Sequence, residues 1–265
     1  RYCFPNRLSD MEVLLAAVKD GGSFAAYYLG NLFYDRGRFE EAMRLWEECK
    51  EKTNLPVVYR NLSLACYNKM QEKEKARAYM EQAFSMDQTD ARIFFELDSL
   101  YKALQIPVAQ RLSYMEEHKE LLEQRDDLYT EYITLLNLNG EYEKAYQCIM
   151  DHRFHPWEGG EGKIPAQYRN ALMHLAKKET DRNEAIRFLE EALHYPHNLG
   201  EGKLCGALDN DIYYMLGCLY QEKEKKDNAF MLAARGEFLL TDAMYYNDQP
   251  PQMMYYAALK KKMLG

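Results

Sequence analysis

The chain has 265 residues, of which 47% are hydrophobic. That share is high enough for a packed core and excludes a wholly disordered chain. Lysine and arginine number 34 against 42 aspartates and glutamates, which gives a formal net charge of -8. Because phosphate binding needs a basic surface, this acidic balance argues against nucleic acid as the main partner.

The six cysteines are scattered along the chain, at Cys3, Cys49, Cys66, Cys148, Cys205 and Cys218. None forms a C-x-x-C pair, so no zinc-finger or thioredoxin-like site is predicted. Their helical positions indicate reduced, buried side chains, which favours the cytoplasm. No apolar run reaches the ~18 residues of a membrane-spanning helix, so we expect no membrane partner. No cofactor is predicted either. Because the chain begins at Arg1 without a signal-like segment, we expect it to be a fragment of a longer protein.

The first predicted helix pair covers 23–56. Gly30 lies in the tight part of its first helix, and Ala42, Trp46 and Cys49 follow on its second helix. Their spacing of four and three residues places all three on one helix face. The small side chains allow the two helices to cross closely, and Trp46 fills the space towards the next pair.

This pattern recurs along the chain, so we predict a repeat array. Ala76, Met80 and Ala83 lie 34 residues after the first set. The predicted full repeats are 23–56, 57–90, 91–124, 125–162, 163–207 and 208–247. Partial repeats are predicted over 1–22 and 248–265, as a lone helix at each end (Leu8–Val18 and Met253–Leu264). The third repeat lacks the small residue at its helix crossing, and its second helix is predicted to begin near Pro107.

The recurring pattern resembles the tetratricopeptide repeat. The resemblance implies an all-α fold, a right-handed α-solenoid of helix pairs forming one domain over 1–265. The first helices of such an array line a concave groove, and protein binding is the function it implies.

The groove-facing candidates implied by this resemblance lie on the first helices of two repeats: Tyr27, Asn31, Tyr34, Arg60, Asn61 and Tyr67. Asn31 and Asn61 match the asparagines of the family's carboxylate-binding clamp, and Arg92 matches one basic position. Tyr27 and Glu96 stand where the clamp needs cations, which argues against binding of an acidic chaperone tail. Tyrosine combines contact area with a polar tip and suits recognition of peptides or sugars.

Two predicted long loops interrupt the 34-residue period. The spacing of the small second-helix residue rises to 40 between Ala145 and Ala185, and to 44 between Ala185 and Ala229. The surplus predicts loops over 152–163 and 194–211, each with H-x-x-H followed by G-E-G-K. Because packed helices lie ~8–10 Å apart, we expect the two loops to be neighbours.

The candidate binding residues of this loop edge are Trp157, Glu158, Glu161, Lys163, Glu201, Lys203, Asp209 and Asp211. A phosphate-binding loop is excluded, because Trp157 and His197 replace required glycines. A metal site would combine the histidine pairs with Asp209 or Asp211. Acid–base chemistry on a sugar would use the carboxylates, with Trp157 as a stacking platform. A structural role would use the glycines for turns and Asp209 to Asp211 as helix caps. A docking surface is the remaining interpretation, and we assign no catalytic or metal-binding residue.

Three stretches, 28–34, 154–163 and 199–214, are similar to a narrower family. The string H-P-W-E-G-G-E-G-K is its most specific part. These stretches resemble the C-terminal repeat region of large bacterial proteins that carry an N-terminal domain similar to galactose mutarotase. The resemblance implies a link to carbohydrate metabolism, with another protein or the N-terminal domain as partner. Its alternative is that the loops complete a carbohydrate-binding or glycan-processing site with that domain. We do not expect the chain alone to be an enzyme.

Overall fold

A computed structural model describes residues 4–203 and 208–234. Within these ranges the chain is all-α, with fourteen α-helices and no strand, which confirms the predicted fold class. The chain divides into two compact units, residues 1–125 (unit 1) and 126–265 (unit 2). The lone helix predicted at Met253–Leu264, residues 235–247 of the predicted sixth repeat, Cys3 and Cys205 all lie outside the described residues.

Unit 1 consists of helices that mostly pack on their neighbours in the sequence. They are α1 (Leu8–Lys19), α2 (Ser23–Asp35), α3 (Phe39–Thr53), α4 (Pro56–Ala65), α5 (Lys73–Met86), α6 (Ala91–Ala103), α7 (Val108–Glu117) and the short α8 (Lys119–Leu122). A π-helical turn, Cys66–Met70, extends α4. None of the described helices is both long and apolar enough to cross a bilayer.

The contact between Gly30 and Trp46 explains why α2 and α3 pair closely. Trp46 is 2% exposed, and its indole nitrogen donates a hydrogen bond to the carbonyl oxygen of Tyr27 at 3.2 Å. A Cβ atom at Gly30 would lie 2.4 Å from that nitrogen. Gly30 therefore leaves the space that the indole occupies, and Ala42 and Cys49 on either side of it are fully buried.

An ion pair joins the helices of the third pair. Arg111 of α7 is 4% exposed, and Asp98 of α6 is 3% exposed. Two hydrogen bonds, of 2.9 and 2.6 Å, link the guanidinium to the carboxylate. This buried ion pair joins the two helices of the repeat in which the small crossing residue is absent from the sequence. Helix α7 begins directly after Pro107.

Unit 2 contains three further pairs: α9 (Asp126–Leu138) with α10 (Tyr142–Asp151), α11 (Lys163–Lys178) with α12 (Arg182–Ala192), and α13 (Asn210–Leu219) with α14 (Lys223–Ala234). Ala145, Ala185 and Ala229 are all buried at the helix crossings. The long connections fall between α10 and α11 and between α12 and α13, as the spacing predicts. The second connection includes a 3-10 turn, His197–Leu199.

Several tyrosines link neighbouring helices through a glutamate. The hydroxyl of Tyr101 donates to Glu81 at 2.8 Å, and that of Tyr220 donates to Glu190 at 2.7 Å. Burial, and then the bonded carboxylate, raise the pKa of both phenols well above the ordinary value. Both side chains are half-buried, so these tyrosines act as polar links between helices and not only as core filling.

The described cysteines differ in exposure. Cys49 and Cys66 are buried and Cys148 is half-buried, whereas Cys218 is exposed. Burial raises the pKa of Cys49 and of Cys66 to about 11, so both are held as thiols. The prediction of a buried cysteine is wrong for Cys218, which is exposed on α13.

Candidate functional site

The two long loops of unit 2 are in direct contact, as the spacing of the repeats predicts. The backbone N–H of Phe154 donates to the carbonyl of Asn198 at 2.8 Å. The Asn198 side-chain amide donates in return to the carbonyls of Ile149, at 2.7 Å, and His152, at 3.0 Å. One asparagine of the second loop therefore fixes the start of the first loop.

The G-E-G-K motifs form the second contact between the loops. Glu201 accepts a hydrogen bond of 2.9 Å from the backbone N–H of Gly162. Gly200 has a φ of 75°, and a Cβ atom there would lie 2.3 Å from the carbonyl oxygen of Phe154. No atom lies within 4 Å of a Cβ built at Gly202. Gly200 is thus required by both its backbone conformation and the close approach of the other loop.

The first H-x-x-H pair anchors its loop to helix α9. The Nε2 atom of His152 lies 2.7 Å from Oδ1 of Asp126. The backbone N–H of His155 donates to Oδ2 of Asp126 at 2.7 Å, and its Nδ1 atom lies 3.2 Å from the same oxygen. Burial raises the pKa of Asp126, but the hydrogen bonds from the two histidines outweigh it and the net pKa is lowered.

The metal-site hypothesis is not supported by this geometry. The first histidine pair, His152 and His155, is engaged by Asp126, whereas Asp209 and Asp211 pair with Arg169. Over residues 4–203 and 208–234, no group of three or more histidine, cysteine, aspartate or glutamate side chains is placed to hold a metal ion.

Asp209 and Asp211 are buried beside Arg169 of α11, with 4% and 7% exposure. The Arg169 Nη2 atom donates to Oδ1 of Asp211 at 2.8 Å, and its Nε atom lies 3.5 Å from Oδ1 of Asp209. Lys203 also pairs with Asp209. Burial, and then the charge of Arg169, lower the pKa of this lysine. Asp209 and Asp211, predicted as binding residues, are thus buried and paired with cations, while Lys203 stays exposed and pairs with Asp209.

The same cluster argues against acid–base chemistry by Asp209 and Asp211, because both carboxylates are paired with cations. It also bears on the predicted helix-capping role of Asp209. Asp209 stands at the N-cap position of α13, but its side chain makes no capping hydrogen bond. Sequence reasoning missed Arg169, because a single arginine within a helix does not indicate which acidic residues it will meet. The available signal was the D-N-D sequence at 209–211, since buried carboxylates require a cation.

Trp157 packs on its own loop. It is half-buried, and a Cβ atom at Gly160 would lie 2.2 Å from its ring. The indole therefore covers a loop glycine and does not stand out as a stacking platform. Glu158, Glu161 and Lys163 are exposed on the same loop.

A cleft of about 490 Å³ lies between the two loops. Residues 153–156 form one wall, and residues 195–197 and 200–202 form the other. Arg153 is exposed, and its guanidinium has no hydrogen bond or ion pair with any described residue. Arg153 and Tyr195 are not recognisable as site residues from the sequence, because only the contact between the loops brings them to one cleft.

The polar groove candidates of unit 1 bind one another. The Asn61 side-chain amide donates to Oδ1 of Asn31 at 3.0 Å. The Arg60 guanidinium donates to Glu96 at 2.6 Å through Nη2, and Arg92 donates to the same carboxylate at 3.3 Å. Glu96 stands where the clamp needs a cation. It accepts hydrogen bonds from both arginines, so neither is free to bind a ligand carboxylate. The clamp-like set is closed by its own hydrogen bonds.

The tyrosine groove candidates differ in exposure. Tyr27 is 4% exposed, so the prediction that its side chain faces a groove is wrong, because the residue packs in the core beside Trp46. Tyr34 is half-buried, with its ring centroid 5.5 Å from that of Trp46. Tyr67 is half-buried within the π-helical turn.

Comparison with known proteins agrees with this architecture. A sequence profile described as a tetratricopeptide repeat matches residues 59–90 and 211–231. The C-terminal part of a TPR repeat-containing protein from Cytophaga hutchinsonii is 15% identical with a TM-score of 0.60, over 91% of this chain and 94% of that one. YrrB, a TPR protein with an unusual peptide-binding site, is 15% identical with a TM-score of 0.49, over 69% of this chain and 92% of its own.

The helix pairs, the profile match and the fold shared with the Cytophaga protein show a helical repeat fold similar to that of tetratricopeptide repeat proteins. Proteins of this type are scaffolds that bind other proteins and peptides.

Proposed function

We propose that this chain is a protein-binding scaffold, and that its partner docks on unit 2 at the loop edge formed by 152–163 and 194–203. The observation that carries the proposal is the cleft between two loops that are held by each other's hydrogen bonds. Long loops fixed on a rigid scaffold are common binding sites, and a preformed site loses little entropy when a partner binds.

The polar face of unit 1 supports the same choice. Arg60 and Arg92 already bind Glu96, and Asn31 already binds Asn61. A partner carboxylate would have to break these contacts before it gained any. The loop edge requires no such exchange, since Glu158, Glu161 and Lys163 are exposed and make no ion pair with a described residue.

Photo-crosslinking in the native host tests this proposal. A photoreactive amino acid replaces Glu158 on the first loop or, as a matched control, Glu74, which is exposed on α5 of unit 1. We expect a specific protein adduct from position 158 that excess unlabelled chain suppresses. Adducts of equal yield from both positions would contradict docking at the loop edge.

In its finer form, the proposal takes as partner a galactose-mutarotase-like domain of the same protein. It rests on the similarity of 154–163 and 199–214 to the repeat region of such proteins. Titration calorimetry between the chain and a recombinant domain of this kind measures the association directly. Heats no larger than those of dilution would remove this partner and leave the docking proposal to the crosslinking experiment.

A carbohydrate ligand is a weaker version of the same proposal. Two of its candidate carboxylates, Asp209 and Asp211, are paired with Arg169, and Trp157 is folded onto Gly160. Only Glu158 and Glu161 remain exposed on the first loop. Titration with monosaccharides and oligosaccharides tests it, and unchanged binding in Trp157→Ala would show that the indole plays no part.

A further inference from the structure

We infer that the cleft between the two loops binds an acidic segment of the partner protein, with Arg153 and His197 contacting its side-chain carboxylates. The inference rests on the proposed docking function and specifies the chemistry of the partner at that site.

Arg153 differs from Arg169 and Arg187, two other arginines of unit 2, because it has no carboxylate partner among the described residues. Arg169 binds Asp211 at 2.8 Å, and Arg187 binds Glu184 and Glu191 at 2.9 and 3.3 Å. In the part of unit 2 that the structure describes, the Arg153 side chain contacts no carboxylate, although it lines the cleft. A guanidinium presents several N–H donors in a planar arrangement that matches a carboxylate.

His197 supplies a second donor from the opposite loop. It begins the 3-10 turn, is exposed, and lines the same cleft. No described group forms a hydrogen bond with its ring, whereas the ring of His155 is held by Asp126. Because Asn198 ties the loops together immediately beside His197, the backbone that carries the two donors is fixed before a ligand arrives, which lowers the entropy cost of binding.

The negative charge within the cleft does not cancel this attraction. Glu201 is the acidic residue that lines it, and one of its oxygens already accepts from the backbone of Gly162. Burial, and then the nearby charge of Glu161, raise the pKa of Glu201 despite that hydrogen bond. The Arg153 guanidinium, in contrast, has no described partner, so its N–H donors are available to a ligand.

The remaining walls suit the backbone of an extended segment. Pro156 and Pro196 face the cleft from opposite loops, with Tyr195 beside them. These side chains offer flat apolar surface without competing for the carboxylates. The volume of about 490 Å³ lies within the ~300–1,000 Å³ typical of ligand-binding clefts. Donors on both walls favour a segment with more than one carboxylate over a single chain terminus.

Fluorescence anisotropy with the full chain tests the inference. The probe is a short labelled peptide of alternating glutamate and glycine, acetylated and amidated so that only side chains carry charge. A glutamine–glycine peptide of the same length is the uncharged comparison. We expect binding of the glutamate peptide alone, weakened by salt, and about tenfold weaker binding in Arg153→Ala. His197→Gln should weaken it by a smaller factor.

Matched variants of the same unit control for nonspecific charge. Arg182 and His194 are exposed in unit 2 and do not line the cleft, so Arg182→Ala and His194→Gln should bind as the unaltered chain does. Arg153→Lys should retain part of the affinity, and melting curves should show that the variants fold. Equal loss in Arg153→Ala and Arg182→Ala would overturn the inference.

Other outcomes separate this inference from the proposed function. A partner that crosslinks at position 158, combined with no binding of the glutamate peptide, would end the inference and leave the docking proposal standing. Peptide binding that depends on Arg153, with no partner crosslinked at position 158, would sustain the cleft chemistry and count against docking at the loop edge. Binding of a glutamine–glycine peptide with a free carboxyl terminus in place of the glutamate peptide would overturn the assignment to side-chain carboxylates.

Discussion

Unit 1 and unit 2 are built from the same kind of helix pair, but they use their polar side chains differently. In unit 1 the connections are short, and Asn31, Asn61, Arg60 and Glu96 bind one another across the first helices. In unit 2 polar residues hold two long loops in place, and Arg153 remains unpaired among the described residues. The repeat pattern thus specifies the scaffold, while the length and anchoring of the loops specify where a partner finds available groups.

The largest expected effect separates the two tryptophans. Trp46→Ala should lower the free energy of unfolding of unit 1 by about 3–5 kcal/mol, because it leaves a cavity in a fully packed core. Trp157→Ala in unit 2 should cost much less, since its indole is half-buried. Urea denaturation followed by circular dichroism measures both changes. Equal costs would mean that the loop of unit 2 is as tightly packed as a repeat core.

A smaller effect is expected at the junction of the loops. Gly200→Ala should destabilise the loop contact by about 2–3 kcal/mol, because it adds a left-handed backbone penalty to a clash with the Phe154 carbonyl. Gly202→Ala is the matched control and should change stability little, since its Cβ meets no atom. Hydrogen exchange of residues 152–163 would report the loss. Faster exchange in both variants would show that the contact at Gly200 is not specific.

The anchor at Asp126 should give a pH-dependent effect. Because the net pKa of Asp126 is lowered in the folded chain, its carboxylate stabilises the fold above its unfolded pKa. That contribution is lost as the pH falls through the folded pKa. Asp126→Asn should therefore cost about 1–2 kcal/mol near neutral pH and almost nothing in strong acid. Thermal melts across an acidic pH series measure this, and a difference that stays constant with pH would contradict the anchor.

The smallest effect concerns the closed polar face of unit 1. A double-mutant cycle of Arg60→Ala and Glu96→Gln should give a coupling energy of about 1 kcal/mol, because the pair is only partly buried. Glu96→Gln alone should leave anisotropy with the glutamate peptide unchanged if binding resides in unit 2. A gain of peptide binding in that variant would show that unit 1 contains a second site, in which Glu96 normally blocks Arg60 and Arg92.

The scaffold could be predicted because its rules are local and periodic. Ala42 recurs as Ala76 after 34 residues, with Met80 in the place of Trp46, and a close helix crossing accepts only small side chains. The positions of the long loops followed from counting between Ala145, Ala185 and Ala229. These inferences need only the helical repeat and no knowledge of individual contacts.

The site was less predictable because it depends on which side chains meet across loops. The sequence alone predicts Asp209 and Asp211 as exposed loop charges. Only the structure shows that Arg169 lies beside them. The sequence predicts Tyr27 as a groove residue. In the structure it is buried, and the indole of Trp46 packs against its backbone. Arg153 carried no signal, since an unpaired cation is recognised only when the positions of the nearby carboxylates are known.

The hydrogen bonds of Asn198 also bear on how this chain can vary. Its side chain caps the carbonyls of Ile149 and His152, and its own carbonyl receives the N–H of Phe154. An insertion or deletion in either loop would displace Asn198 or its partners and leave the other side of these hydrogen bonds without a partner. We therefore expect the two loops to vary together in length and sequence, as one structural unit. Transfer of 152–163 alone into another repeat protein should fail, whereas transfer together with 194–203 should carry the cleft intact.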